Sequence, residues 1–251
     1  MAAILTAAAA KSRDARLADL DDTVIDGHVA AFDDIAGRYR GVAPTTREGV
    51  WTGYTSRTGV LELPFPFIQT LTVVDADVAR RVTDAATATS TALTSATAAF
   101  TSADVGRVVI GAGITAGTTI ASVTNPTTVV LSAATTATAS GVVVTIGTAV
   151  TVDTLDEATG RAHLCWTGRA TAGFRHGLTS TPAALLDACT EYVLCTARSR
   201  ASGVSRNTLS EATDAGTTRY STPDWAAGRP TGWLEVDRLL NSLPDYRISV
   251  F

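Results

Sequence analysis

The stretch "VVIGAGITAG", residues 108–117, has the residue types of a phosphate cradle: an apolar run, then Gly111, Gly113 and the small Ala116 at the spacing of a dinucleotide fingerprint. In that chemistry the middle glycine admits a pyrophosphate against the backbone, and the helix that follows aims its N-terminal amides at the negative charge. Residues 118–147, "TTIASVTNPTTVVLSAATTATASGVVVTIG", instead alternate Thr, Val and Ile with small residues around Asn125-Pro126, a pattern of strands. The acid that would hold a ribose, about 20 residues on, has no counterpart, because after Asp104 the next carboxylate is Asp153. A flavin or nicotinamide enzyme is therefore the weakest of the readings, and the glycines are expected to serve β-turns.

Other reactive side chains are sparse. His28, His163 and His176 are the only histidines; His163 and Cys165 could share a strand face, but no spacing supplies a third and fourth metal ligand. Cys165, Cys189 and Cys195 form no close pair, and the last two lie about 240° apart around a helix, so they read as small buried residues. No nucleophile elbow and no P-loop is present. The acids at Asp21-Asp22 and Asp33-Asp34 read as the solvated face of a helix. Arg198, Arg200 and Arg206 could touch phosphate, yet a basic helix end explains the first two. With 24 acidic against 20 basic residues the net charge is −4, which argues against gripping nucleic acid. No catalytic residue, cofactor or metal is expected, and no apolar run is long enough to cross a membrane.

The elements that would carry these residues fall into three regimes. From Ala15 to Tyr39, Leu17, Leu20, Val24, Ala31, Phe32, Ile35 and Tyr39 follow helical spacing, with acids early and Arg38 and Arg40 before Gly41, which predicts one long amphipathic helix. Between Val42 and Val74, runs broken by Gly53, Gly59, Pro64 and Pro66 predict a hairpin followed by an edge-type strand. Residues 83–147 hold Asp84, Asp104 and Arg107 as their only charges, and this shift predicts an inserted all-β, sandwich-like domain. Residues 148–251 then resume the host: Thr181-Pro182 is expected to cap a second long helix, and Trp233 to Leu243 form a last one stopped by Pro244. In the tail "YRISVF", Tyr246, Ile248 and Val250 alternate with Arg247 and Ser249, a strand pattern in need of a partner sheet.

The order of parts carries a resemblance. An acidic amphipathic helix, "TREGVWTGYTSRTGVLELPFPFIQTLTVV", "FRHGLTSTPAALLDACTEYVLCTA" and "GWLEVDRLLNSLPDYRI" together resemble the head-to-tail connector (adaptor) proteins of long-tailed phages. "LELPFPF" is similar to the family's turn after its strand pair; Phe174, Gly177 and Pro182 match the entry to its main helix loosely, and Leu243, Tyr246 and Arg247 its C-terminal ending. The match covers about residues 15–82 and 148–251. The insert, with "FTSADVGRVVIGAGITAGTTIASVT", resembles small β-domains that decorate virion proteins of phages of actinobacterial hosts.

The resemblance implies an α+β fold: a mainly helical adaptor core with a β-hairpin, in two parts at 1–82 and 148–251, plus the inserted domain at 83–147. It implies a structural virion protein of the neck, assembled in the bacterial cytoplasm as a closed, twelve-fold ring between the portal and a stopper or other tail protein. Genomic DNA would pass through the lumen without specific binding. The tail residues Tyr246, Arg247, Ile248, Ser249, Val250 and Phe251 are then expected to dock on the portal, and Asp19, Asp22, Asp26 and Asp33 to line the channel. The runner-up is an adhesion or carbohydrate-binding virion protein acting through the β-domain.

Overall fold

The computed structural model describes residues 3–201, 210–213, 216–219 and 231–244. The chain divides into two compact units, one drawn from Met1–Thr45 and from the chain after Leu178, the other built on Thr46–Gly177. The expected mainly helical core does not form: among the described residues 36% are strand and 27% helix, so the structure is mostly β. The segments on either side of the insert, read as appendages of a helical core, build sheets with a core of their own.

In the first unit, α1 (Ala7–Arg13), α2 (Asp22–Arg40), α3 (Ala183–Ala201) and α4 (Leu234–Asn241) bury one apolar cluster. The long helix expected over 15–39 is broken. Asp14 caps a 3-10 turn at Ala15–Leu17, and Asp21 accepts the Thr23 N–H at 2.8 Å to start α2 afresh. Each carboxylate satisfies an amide that a helix start leaves unpaired. The restart shifts the helical phase, so Ile25, His28, Val29, Phe32 and Ala36 face inward while Val24 is 42% exposed. Gly41, at φ 74°, ends α2 in the left-handed conformation common at helix C-termini. Phe32 meets Tyr192 of α3 with ring centroids 5.5 Å apart, and Val236 and Leu240 of α4 complete the cluster. Thr181 does not cap α3: its hydroxyl donates to the Pro44 carbonyl at 3.2 Å, and the Pro182 carbonyl accepts the N–H groups of Leu185 and Leu186. Between α3 and α4 in sequence, Ser210–Thr213 pairs antiparallel with Gly216–Arg219.

The second unit is all β. Strands β1 (Arg47–Tyr54), β3 (Ile68–Asp75), β10 (Ala149–Val150) and β13 (Arg169–His176) form an antiparallel sheet in the order β1-β13-β3-β10. Strands β2 (Val60–Glu62), β11 (Val152–Asp156) and β12 (Arg161–Leu164) form a second sheet in the order β11-β12-β2. The expected hairpin at 42–74 is absent, because β1 pairs with β13 and β2 with β12, both far along the chain. Nor is β3 an edge; it lies between β13 and β10. Leu61, Leu63, Ala162 and Leu164 of one sheet meet Val73, Ala170, Ala172 and Phe174 of the other in a dry core, as facing sheets do.

Strands β4 (Arg80–Ala88), β5 (Ala92–Thr94), β6 (Val108–Gly111), β7 (Ile120–Asn125), β8 (Thr128–Leu131) and β9 (Thr138–Gly147) form a third sheet, in the order β6-β9-β4-β5-β8-β7. Its two ends join. Val108 bridges Thr119, Ile120 N–H donates to Arg107 O at 2.9 Å, and Val109 N–H to Thr118 O at 2.9 Å. The expected sandwich is therefore a small barrel, closed around Leu93, Phe100, Val109, Ile120, Leu131, Val144 and Ile146. Closure pairs the edge strands that an open sheet this small would expose. The barrel sits on the face of the four-stranded sheet opposite the dry core: Val108 and Ile110 pack on Val74, and Ile110 fills the space above Gly173 that a Cβ would occupy.

Candidate functional site

The glycine-rich stretch of 108–117 is the β6–β7 connection. A strand, and no helix, follows it, so no helix N-terminus points at the loop. Gly113 and Gly117 take φ values of 75° and 86°, the left-handed turn conformations that glycine adopts without strain. One anion does meet this loop, and it belongs to the chain. Glu48 on β1 accepts the Ala116 N–H at 3.3 Å through Oε2. Burial raises the Glu48 pKa above its ordinary value, and the Ala116 hydrogen bond and Arg175 offset part of that.

The other reactive-looking residues are dispersed. His163 is exposed on β12 and Cys165 just after it, and no group of three or more His, Cys, Asp or Glu side chains that could hold a metal converges among the described residues. Cys189 is buried in α3, where desolvation pushes its thiol up to about 12, and Cys195 is pushed up to about 11 by desolvation and the neighbouring Glu191. Both thiols are held neutral, the inert form. Arg198 is exposed near the end of α3, whereas Arg206 lies outside the described residues.

The four candidate channel acids have different surroundings. Asp19 is exposed before α2. Asp22 pairs with Lys11 at 2.7 Å, and Asp26 accepts the Ala7 N–H at 3.2 Å, supplying an acceptor at the start of α1. Asp33 is half-buried, near enough to Cys189 for its charge to disfavour the thiolate. Two of the four thus hold α1 against α2. The expected docking residues Tyr246, Arg247, Ile248, Ser249, Val250 and Phe251 lie outside the described residues.

Sequence reasoning missed three arrangements. The first is an aromatic cluster in the β unit: His176 stacks on Phe65 with ring centroids 4.3 Å apart, and Phe174 lies 5.6 Å from His176 and 6.0 Å from Phe65. Desolvation, with Arg47 nearby, lowers the His176 pKa to about 4. Gly177 N–H donates to Phe67 O at 3.1 Å, and Gln69 donates to Gly177 O at 2.8 Å, which ties the same two segments by their backbones. The second is buried Arg40, whose guanidinium donates to the Leu240 carbonyl near the end of α4 and to Asn241 Oδ1 at 3.3 Å; Tyr39 donates to the same oxygen at 2.7 Å. The third is Asp104, 2% exposed under the barrel, which accepts from Thr101 N–H at 3.0 Å and Arg80 at 3.0 Å. Burial pushes its pKa up, but those donors and Arg107 bring it below the ordinary value. The Thr101/Asp104 spacing of a capping box was the available signal.

The only aromatic residue in the barrel's sequence span, Phe100, is buried, so the barrel presents no ring on which a sugar would stack. No helix among the described residues is long and apolar enough to cross a membrane. No protein-family model matches the chain, and no curated protein aligns with it.

Proposed function

We propose that this chain is a structural subunit of a phage neck, assembled as a ring between the portal and the tail-side proteins, with genomic DNA passing through its lumen. One observation carries the reading. "LELPFPF" and "FRHG", two of the segments on which the connector resemblance rests, stand more than a hundred residues apart in sequence with the whole barrel between them, yet Phe65, Phe67, Phe174, His176 and Gly177 form one cluster. A pair of motifs that meet despite an intervening domain behaves as one unit of a host fold.

The placement of the insert fits the same reading. β3 and β10, the strands that enter and leave the barrel, are antiparallel neighbours paired Val74 to Ala149. A domain joined through adjacent strand ends decorates its host without altering the host's path. Cys189, Cys195, Glu48, Asp104 and His176 are buried or engaged with the chain's own residues, and of the exposed groups His163 and Cys165 lie on or just after β12 and Asp19 before α2.

Mixing the purified protein with assembled portal rings and imaging the product tests the proposal. Annular density stacked on the portal is expected. Absence of portal association would overturn it. Within the ring, Asp19→Lys probes the lumen more cleanly than changes at Asp22 or Asp26, since those two hold α1. DNA retention in assembled particles is expected to change if Asp19 faces the lumen, and unchanged retention removes it from the channel.

A further inference from the structure

The four-stranded sheet leaves one long edge open. Thr55 N–H donates to Gly168 O at 3.0 Å, one step beyond the Tyr54–Arg169 pair, so odd-numbered residues of β1 turn their backbone groups toward β13. Glu48, Val50, Thr52 and Tyr54 turn theirs outward, and among the described residues no backbone group meets that outer row. Folded proteins protect such rows with short strands, bulges, proline or lysine. The other edges of the β unit follow the rule: β10 is two residues long, β2 is three, β11 carries a register shift between Val152 and Thr154, and the barrel is closed. In contrast, β1 runs eight residues in unbroken register, without proline or lysine. Val50 and Tyr54, whose side chains lie on the same face of the sheet as Glu48, are 48% and 74% exposed.

We propose that this edge receives residues 245–251, "DYRISVF", of a second copy of the chain as an added antiparallel strand. Seven residues with period-two alternation match the length and the pleat of β1. One register satisfies the outward backbone groups and the side chains together: Tyr246 opposite Tyr54, Ile248 opposite Thr52, Val250 opposite Val50. The three apolar side chains of the tail then extend the exposed face of β1. Arg247 falls opposite Gly53, where the Trp51 indole occupies the space of the missing side chain, within 2.2 Å of an ideal Cβ, and a guanidinium over an indole face is favourable. Asp245 falls beside Thr55, next to exposed Arg57 in sequence. Tail of one copy on edge of the next is a heterologous contact, the kind that repeats around a ring. This inference deepens the ring reading and rests on it for closure into an annulus, and it assigns the tail to the neighbouring subunit in place of the portal.

The test uses a fluorescent peptide of residues 245–251, the full chain, a variant ending at Pro244, and Val50→Lys, which places a charge on the edge without touching the β13 ladder. Circular dichroism checks that each variant is folded. The peptide is expected to bind the truncated protein saturably, and Val50→Lys to weaken it roughly tenfold, the equivalent of about 1.4 kcal/mol. Sedimentation of the full chain is expected to show multimers at rising concentration, and the truncated chain to stay monomeric. Failure of the peptide to bind, binding indifferent to Val50→Lys, or a full chain that stays monomeric would each overturn the contact. Portal association measured in parallel separates the two ideas: if it survives while the peptide fails, only this contact falls, and if it fails while the peptide binds, only the neck reading falls.

Discussion

At the scale of single residues, the charges that looked available for chemistry are mostly engaged in holding the chain together. Glu48 is half-buried, and its raised pKa means that the native state holds this proton more tightly than the unfolded chain does. A group raised in this way makes the fold less stable as pH climbs past its unfolded value, 4.5, and through the folded one. Glu48→Gln keeps an acceptor for the Ala116 N–H and removes the buried charge. Urea unfolding at neutral pH is expected to show equal or slightly greater stability, and a large loss would mean that the carboxylate charge itself is needed. His176 behaves in the opposite sense to a gained ion pair: with a pKa lowered from 6.5 to about 4, the native state binds fewer protons than the unfolded chain between those values. Its contribution is intact above the unfolded value and is lost as pH falls through that window. His176→Phe is expected to flatten the decline in melting temperature between about pH 6.5 and 4, and an unchanged slope would assign that decline to other groups.

At the scale of elements, Asp104 and the turn it closes show how the barrel is tied. The Ser102–Asp104 turn precedes β6, and the buried carboxylate joins it to Arg80 at the start of β4. Asp104→Asn leaves the volume unchanged but removes the charge facing Arg80 and Arg107. A loss of about 2 kcal/mol is expected, the scale of a hydrogen bond to a charged group, measured by calorimetry of the barrel's transition. Asp84, within β4, works similarly on the segment that follows β5: Ser95 and Thr97 donate to it at 2.5 and 2.8 Å and lower its pKa. Both carboxylates stabilise the fold above their unfolded value of 3.8, and this is lost as pH falls through the lowered folded values. In the helical unit Phe32 is fully buried between α2 and α3, so Phe32→Ala is expected to cost about 3–5 kcal/mol, read from chemical denaturation.

At the scale of the whole molecule, the chain is an insertion within an insertion. The β unit interrupts the helical one between Thr45 and Leu178, and the barrel interrupts the β unit between Asp75 and Ala149. A closed barrel with its own core and adjacent ends meets the conditions for an independent domain. Residues 76–148 expressed alone are expected to unfold cooperatively with a strand-type circular dichroism spectrum; a featureless spectrum would show that contact with the four-stranded sheet is required.

Much of the local structure was legible in sequence. Alternation of Val, Ile and Thr announced the strands of 108–147, and the three-and-four spacing of Leu185, Cys189, Tyr192 and Val193, or of Val236, Leu239 and Leu240, announced α3 and α4. Those signals are periodicities within one segment, and a segment carries its own periodicity wherever it ends up. Pairing is different. β1 joins β13 across more than a hundred residues, and within the barrel β4 joins β9, pairing Arg80 with Ile146 and Ala88 with Thr138. The balance between helix and sheet, the aromatic cluster at His176 and the open edge of β1 are all consequences of which surfaces meet. Hydrogen bonds between strands and burial of faces are properties of two partners at once, so only the tertiary structure decided them.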